Sequence, residues 1–595
     1  MLKNETFLML LQRLWHHISP RRRVQYGILF MLMVLASFAE VISIGAVLPF
    51  LGVLTAPERV FEHQLAQPLI QTFDLTEPKQ LLLPLTILFG LAALFSGAMR
   101  LTLLWAQTRI SHAVGADFSI SIYRRTLYQP YAVHAARNSS EVIAGTGKAN
   151  SVVSSTIMPI VTIVSSGMML VTILVALIAI DPEIAFSAFI GFGAIYFLVI
   201  LITKNRLAQN GQCVNRESVH VIKALQEGLG GIRDVLIDGT QSTYCNIFRN
   251  ADLPLRRATA NIQIIGASPR FGIEALGMML IAALAFSLAG RPEGLVSAIP
   301  VLGALALGAQ RLLPVLQQAY ASWAAICGGQ ELLRDALKLL EQPLPAHVDA
   351  PLPAPIPFQH SITLNKLSFR YAHEAPWVLH ELDLTLHKGG RIGFMGTTGS
   401  GKSTLLDIIM GLLTPTEGSL SIDGVDITPQ NQRAWQAHIA HVPQSIFLAD
   451  TSIAENIAFG IPPDQIDYER IHQAAKKAQI ANTIEAWEQQ YNTLVGERGV
   501  RLSGGQRQRI GIARALYKQA NVIVFDEATS ALDNDTERAV MHAIESLGDE
   551  LTILIVAHRL TTLKNCTKIV ELSDGRINRI GTYQDIVVKQ EYLTS

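Results

Sequence analysis

Nine residues, Gly396-Thr397-Thr398-Gly399-Ser400-Gly401-Lys402-Ser403-Thr404, fit the pattern G-x-x-x-x-G-K-[ST]. Glycines at these positions let backbone N–H groups close around phosphates, and a helix start favours anions. In such a loop Lys402 reaches the β and γ phosphates of a nucleotide and the Ser403 hydroxyl ligates Mg²⁺. The context fits, because the loop follows the strand-like run Arg391–Met395 and opens a helical pattern over Ser403–Leu413. A second site agrees with it. Val522-Ile-Val-Phe525 is a buried type of strand that ends in Asp526-Glu527. Asp526 is suited to the Mg²⁺ shell, and Glu527 to polarising the attacking water. Between the two lies Leu502-Ser503-Gly504-Gly505-Gln506, where a serine and two glycines at a helix start make another anion site. The chemistry expected is hydrolysis of a nucleotide at its γ-phosphate.

The rest of the chain must hold these groups. It has 595 residues, 48 Lys plus Arg against 48 Asp plus Glu, an apolar fraction of 49% and only 16% charged residues. Its mean hydropathy is +0.30. Low charge with high hydropathy excludes a disordered chain, and zero net charge argues against a nucleic-acid partner. The apolar residues are clustered. From Ser151 to Thr203 the only charges are Asp181 and Glu183, on either side of Pro182. Long apolar runs at 24–54, 81–110, 152–180, 184–203, 262–290 and 294–326 give six candidate membrane spans. Basic residues crowd one side: Arg21, Arg22 and Arg23 before the first span, Arg124 and Arg125 after the second, Lys204 and Arg206 after the fourth. The positive-inside rule then puts both termini in the cytosol. The four cysteines (Cys213, Cys245, Cys327, Cys566) fall on or near that side and show no metal-ligand spacing. A proline-rich stretch, Pro343–Pro357, precedes strands alternating with helices. The expected division is a membrane domain at 1–330, a linker at 331–357 and a cytosolic α/β domain at 358–595.

Leu502–Gln506 resembles the signature segment of ATP-binding-cassette (ABC) proteins, and other motifs follow in that family's order. Tyr371 resembles the aromatic that stacks on adenine. Gln444, in His-Val-Pro-Gln, resembles the glutamine that joins Mg²⁺ and the attacking water to the membrane half. Glu497-Arg-Gly resembles a segment that touches transmembrane couplers in exporters. Ser530-Ala-Leu-Asp533 resembles the loop joining two sites, and His558 the switch histidine on the γ-phosphate. Six spans followed by one cassette resemble an ABC exporter half-transporter over the whole chain. The resemblance implies a polytopic α-helical membrane domain followed by a P-loop nucleotide-binding domain. It implies Glu527, His558 and Gln444 as catalytic groups, and Ser403, Gln444 and Asp526 around Mg²⁺. ATP would be bound by Tyr371, Thr397, Thr398, Gly399, Ser400, Gly401, Lys402, Ser403 and Thr404. Ser503, Gly504, Gly505, Gln506 and Asp533 would complete the site of a second copy, which makes a homodimer the economical assembly.

Three arginines, Arg100, Arg270 and Arg311, interrupt the spans. One reading has them snorkel to headgroups, or has Arg270 pair with Glu274 at i+4. The other has them line a cationic cavity for a phosphate or pyrophosphate headgroup. Residues 60–73 carry apolar side chains at roughly helical spacing, with a kink expected at Pro68, and read as an amphipathic helix on the outer membrane face. With Ser43–Phe50 and Gly231–Asp234, this loop resembles PglK-type flippases. That resemblance implies a lipid-linked (polyprenyl-pyrophosphate) oligosaccharide flipped across a bacterial inner membrane. The alternative is a multidrug, lipid or peptide exporter.

Overall fold

Apolar runs of this length fold as helices because only a helix satisfies every backbone N–H and C=O within one segment in hydrocarbon. The computed structural model describes residues 5–588, apart from 56, 73, 181, 276–277, 280–281, 283–293, 346, 352, 528–533, 546–549 and 557–562. The chain divides into two units, Met1–Gln129 with Arg137–Leu344, and Pro130–Ala136 with Pro345–Ser595.

The first unit is helical. A short helix α1 (Phe7–His17) precedes α2 (Pro20–Gly45), α3 (Leu82–Leu127) and α4 (Ser139–Val152). A π-helical turn, Val153–Ile157, joins α4 to α5 (Met158–Ile180). Then come α6 (Pro182–Gly230), α7 (Gln241–Ala267) and α8 (Gly294–Leu340). Pro20 and Pro182 each open a helix, where a missing N–H costs nothing. Pro130 follows the end of α3, which proline cannot prolong. Counting α4, the turn and α5 as one, the described residues hold six long helices. By length and hydropathy, Pro20–Ser43, Pro78–Leu127 and Ser140–Ala179 are able to cross a membrane among the described residues. The expected span at 262–290 runs into residues outside those described.

Three details of this unit depart from the sequence reading or sharpen it. Helix α8 continues past residue 330 to Leu340, because Leu333, Leu337 and Leu340 are buried in one cluster with Leu10 and Leu14 of α1. The external segment is not one amphipathic helix. It breaks into Pro57–Phe61, Gln64–Ala66 and Gln67–Thr72. Val60, Phe61 and Ile70 pack on buried Val53, Leu81 and Leu85, so its apolar side is covered by its own neighbours. A short helix, Ile232–Ile237, stands between α6 and α7, and another, Tyr131–Ala136, belongs to the second unit although the chain reaches it between α3 and α4.

Two glycines bring α6 and α8 together. A Cβ on Gly211 would collide with the backbone carbonyl of Gly328, and one on Gly329 would lie 2.5 Å from the Ser155 side chain. Nearby, Asp335 of α8 accepts from Lys148 Nζ at 2.8 Å, Asn215 Nδ2 at 2.8 Å and Lys338 Nζ at 3.0 Å, joining α4, α6 and α8. Burial alone would raise this carboxyl, but the three donors outweigh it and hold it at about 2.

The second unit carries two sheets. Strands β1 (Ser361–Phe369), β2 (Leu379–His387), β4 (Glu417–Ile422) and β5 (Val425–Asp426) form an antiparallel sheet in the order β2-β1-β4-β5. Strands β3 (Arg391–Gly396), β6 (Ile439–Val442), β7 (Val522–Asp526), β8 (Thr552–Val556), β9 (Lys568–Ser573) and β10 (Arg576–Gly581) form the other, in the order β10-β9-β3-β8-β7-β6. There β3 pairs in parallel with β8 and β9, and β7 with β6 and β8. A parallel sheet is covered on both faces, which is why β7 and β8 read as unbroken apolar runs. Helices α9 (Lys402–Ile409) and α10 (Gly504–Lys518) complete the parts the site needs.

Candidate nucleotide site

The phosphate loop leaves the carboxyl end of β3 and enters α9, so the loop sits where ligands bind in open α/β sheets. Gly401 caps α9 with a left-handed φ of 96°, and a Cβ there would lie 2.6 Å from Leu379 Cδ2. Lys402 is buried, and its Nζ donates to the carbonyls of Gly396 and Thr397 at 2.8 Å each. The lysine is thereby folded over its own loop. Burial lowers its proton affinity, while Glu527 and Asp526 raise it. Ser400 and Thr404 are buried, whereas Thr397, Thr398, Gly399 and Ser403 face outward.

Asp526 ends β7 two strands away, with β8 between. Burial raises its carboxyl, the Glu527 charge adds to this, and Lys402 opposes it. Glu527 has a positive φ of 51°, a left-handed conformation that costs a residue with a side chain about 1–3 kcal/mol. Its N–H donates to the Val556 carbonyl at 3.0 Å, so pairing with β8 holds the strained residue in place. Gln444, just beyond β6, donates from Nε2 to Glu527 Oε2 at 2.6 Å. Three strands thus bring Gln444, Glu527 and the loop lysine to one edge.

Tyr371 follows β1. Its ring stands edge-on to Phe369, with centroids 5.0 Å apart, and its hydroxyl is 3.1 Å from Thr404 Oγ1. The ring is 56% exposed, as a stacking platform beside the phosphate loop needs to be. Ser503 caps α10 through a reciprocal pair, Ser503 N–H to Gln506 Oε1 at 2.8 Å and Gln506 N–H to Ser503 Oγ at 3.2 Å. That capping box explains both residue types locally. Gly504 and Gly505 form the first turn. Arg498, in the Glu497–Gly499 segment, also has a positive φ, 52°. His558 and Asp533 lie outside the described residues.

Two groups near the site carry no motif. Asp407 lies on α9, and burial together with the Asp526 charge raises its carboxyl to about 6. Burial, with Asp407 and Tyr371 adding to it, also raises the Tyr131 phenol. Tyr131 belongs to Pro130–Ala136, which clusters with this unit although the chain reaches it between α3 and α4. The sole sequence signal for Asp407 is an acid on an otherwise apolar stretch of helix.

In the first unit the arginines do not stand as bare cations. Arg270 Nε donates to Glu274 at 2.8 Å, the i+4 pairing its spacing allows. Arg100 Nε lies 3.4 Å from Glu40, whose buried carboxylate also accepts from Ser96 Oγ at 2.5 Å. The side chain of Arg311 lies outside the described residues. Arg270 thus makes the i+4 pair that the first of the two readings gave it, and Arg100 is paired across two helices with Glu40.

Residues 379–530 match the ABC transporter family. An ATP-dependent lipid A-core flippase of Chromohalobacter salexigens is 32% identical over 66% of this chain and 67% of its own. One of Cupriavidus metallidurans is 25% identical over 97% of this chain and 94% of its own. The fold is similar to that of a bacterial Atm1-family ABC exporter with ATP bound, with a TM-score of 0.76, 22% identity and 96% coverage of both chains.

Proposed function

From the premise that this chain belongs to the ABC transporter family, as an exporter half-transporter that couples ATP hydrolysis to transport, we propose that it flips a lipid-linked oligosaccharide. The observation that carries the lipid reading is similarity over 97% of the chain, membrane half included, to a relative named for lipid flipping. The likeness of Ser43–Phe50, Gly231–Asp234 and the external segment to PglK-type proteins supports a polyprenyl-pyrophosphate carrier. The membrane is a bacterial inner membrane, with both termini and the cassette in the cytosol, as the basic residues beside the spans favour.

One chain supplies one phosphate loop and one signature segment, so two copies are needed to complete two sandwiched nucleotides. Tyr371 stacks on adenine, the loop from Thr397 to Thr404 holds the phosphates, and Ser503 to Gln506 with Asp533 close the partner's site. Lys402 turns from its loop carbonyls to the β and γ phosphates. Glu527 orients the attacking water, steadied by the Gln444 amide, and His558 contacts the γ-phosphate. The donors near the phosphates are the Ser403 hydroxyl, the Asp526 carboxylate and the Gln444 carbonyl. This all-oxygen set fits Mg²⁺, a hard cation that takes oxygen ligands. Mg²⁺ would neutralise charge on the phosphates. ATP binding closes the cassettes, hydrolysis reopens them, and the short helices between spans turn this into alternating access.

The test uses the full chain in liposomes, with wild type beside Glu527→Gln. The arms are no added lipid, a polyprenyl-pyrophosphate-linked sugar, and a lipid A-core lipid. Stimulated ATP turnover and glycan transfer to the far leaflet in the polyprenyl arm support the proposal. Stimulation by the lipid A-core lipid alone replaces that substrate, and stimulation by neither returns the chain to a general exporter.

A further inference from the structure

Arg514 lies towards the far end of α10, the helix that Ser503 caps. Its guanidinium is a fork between two stretches of chain. Nη2 donates to the Phe447 carbonyl at 3.1 Å and Nε to the Asn456 carbonyl at 2.8 Å, with Asn456 Oδ1 3.4 Å from Nη2. The centre of the Phe459 ring lies 4.5 Å from the guanidinium carbon. Among the described residues no carboxylate pairs with it. Burial without an opposite charge lowers its proton affinity, to about 10. A charge in such a place is costly, and apolar packing would join two segments at less cost. What a guanidinium adds is direction, since its planar fork fixes the position of each carbonyl it meets.

The Phe447 carbonyl belongs to the loop that carries Gln444. Upstream, that loop is anchored by β6, which pairs with β7 as far as Val442 and Phe525. Downstream, fully buried Asn456 closes it. Asn456 Oδ1 accepts from the Ala449 N–H at 3.0 Å, and Nδ2 donates to the Ala449 and Ser452 carbonyls at 3.0 Å each. Arg514 grips this closed loop at Phe447 and at Asn456. On the same helix Gly511 makes room for Ile446, because a Cβ there would lie 2.5 Å from Ile446 Cδ1. Ile446 and Phe447 are thus both seated on α10. Gln444, between these seats and β6, donates to Glu527 at 2.6 Å.

We propose that Arg514 is a positioning residue for ATP hydrolysis: by holding the Phe447 carbonyl on α10, it keeps the Gln444 amide on Glu527. It acts through Gln444 and needs no contact with the nucleotide. The inference rests on the roles proposed for Gln444 and Glu527, and is independent of which cargo is carried.

The test is basal ATP turnover of the full chain in liposomes, for wild type, Arg514→Lys, Gln444→Ala and the double variant. Lysine keeps the charge but, as a point donor, does not span both carbonyls. In Arg514→Lys kcat falls about ten- to a hundredfold, the scale of loss for a misplaced catalytic group, while KM for ATP is unchanged. In the Gln444→Ala background the same substitution costs nothing further, because the group it positions is gone. A brace that only stabilises the fold would lower turnover by the same factor in both backgrounds, and that result overturns the proposal. So does a wild-type kcat in Arg514→Lys, or a loss confined to KM. Wild-type turnover in Gln444→Ala overturns the role of Gln444 itself, and the proposal with it. Arg514→Gln, which removes the buried charge and keeps an amide donor, is run in parallel and carries the same expectations where the lysine variant does not fold. Gel filtration and binding of a fluorescent ATP analogue certify that each variant is folded.

Discussion

At Glu527 the chain accepts a left-handed backbone to aim a carboxylate, and a neighbouring strand holds it there. Asp407 shows a different cost of the same crowding. Its carboxyl is raised by burial and by Asp526 to about 6, from an ordinary 3.8. Between those values the folded chain keeps the proton and the unfolded chain does not. The stability it contributes is therefore complete below about 3.8 and lost as pH rises through about 6. Asp407→Asn should unfold at higher temperature than wild type in nucleotide-free protein at pH 8. The gain is about 1–2 kcal/mol once solvent screening of a half-exposed group is allowed for. It should narrow toward pH 5, and a gain that is constant with pH would assign it to something other than this proton. The motif residues were legible in the sequence because phosphate chemistry needs them contiguous or at strand ends. Asp407 was not, since an acid on a helix acquires meaning only from what packs beside it.

Helices meet through pairs that spacing alone does not reveal. The i+4 pairing of Arg270 with Glu274 could be read from one strand of sequence. The bond from Arg100 to Glu40 could not, because it joins two helices separated by the external segment. Glu40 is fully buried, so its removal leaves Arg100 without its carboxylate in an apolar setting. Glu40→Leu should cost about 3 kcal/mol of stability in detergent, and adding Arg100→Leu should recover most of it. Losses that simply add would show that the two side chains are not coupled. The external segment is the converse case. Its helical spacing was legible, but its breaks and its burial against Val53, Leu81 and Leu85 depend on neighbours that periodicity does not name.

For the whole molecule, the order of the cassette motifs and the apolar runs already gave the architecture, since hydrocarbon and phosphate both impose strict patterns on a chain. What a pattern in one chain leaves open is assembly. If two copies share two sites, Glu527→Gln should trap ATP without turning it over. The trapped protein should hold two nucleotides per dimer, countable after gel filtration. A trapped monomer, or one nucleotide per two chains, would remove the symmetric sandwich. The crossing of α6 and α8 at Gly211 and Gly328 bears on how such a machine moves. With no side chains between them the two backbones come so close that a side chain at Gly211 would have to push them apart. A crossing this close is built to serve as a fulcrum. About such a pivot, spacings nearby would change little, while the same small rotation would be magnified towards the helix ends, as it is at the tips of a pair of scissors.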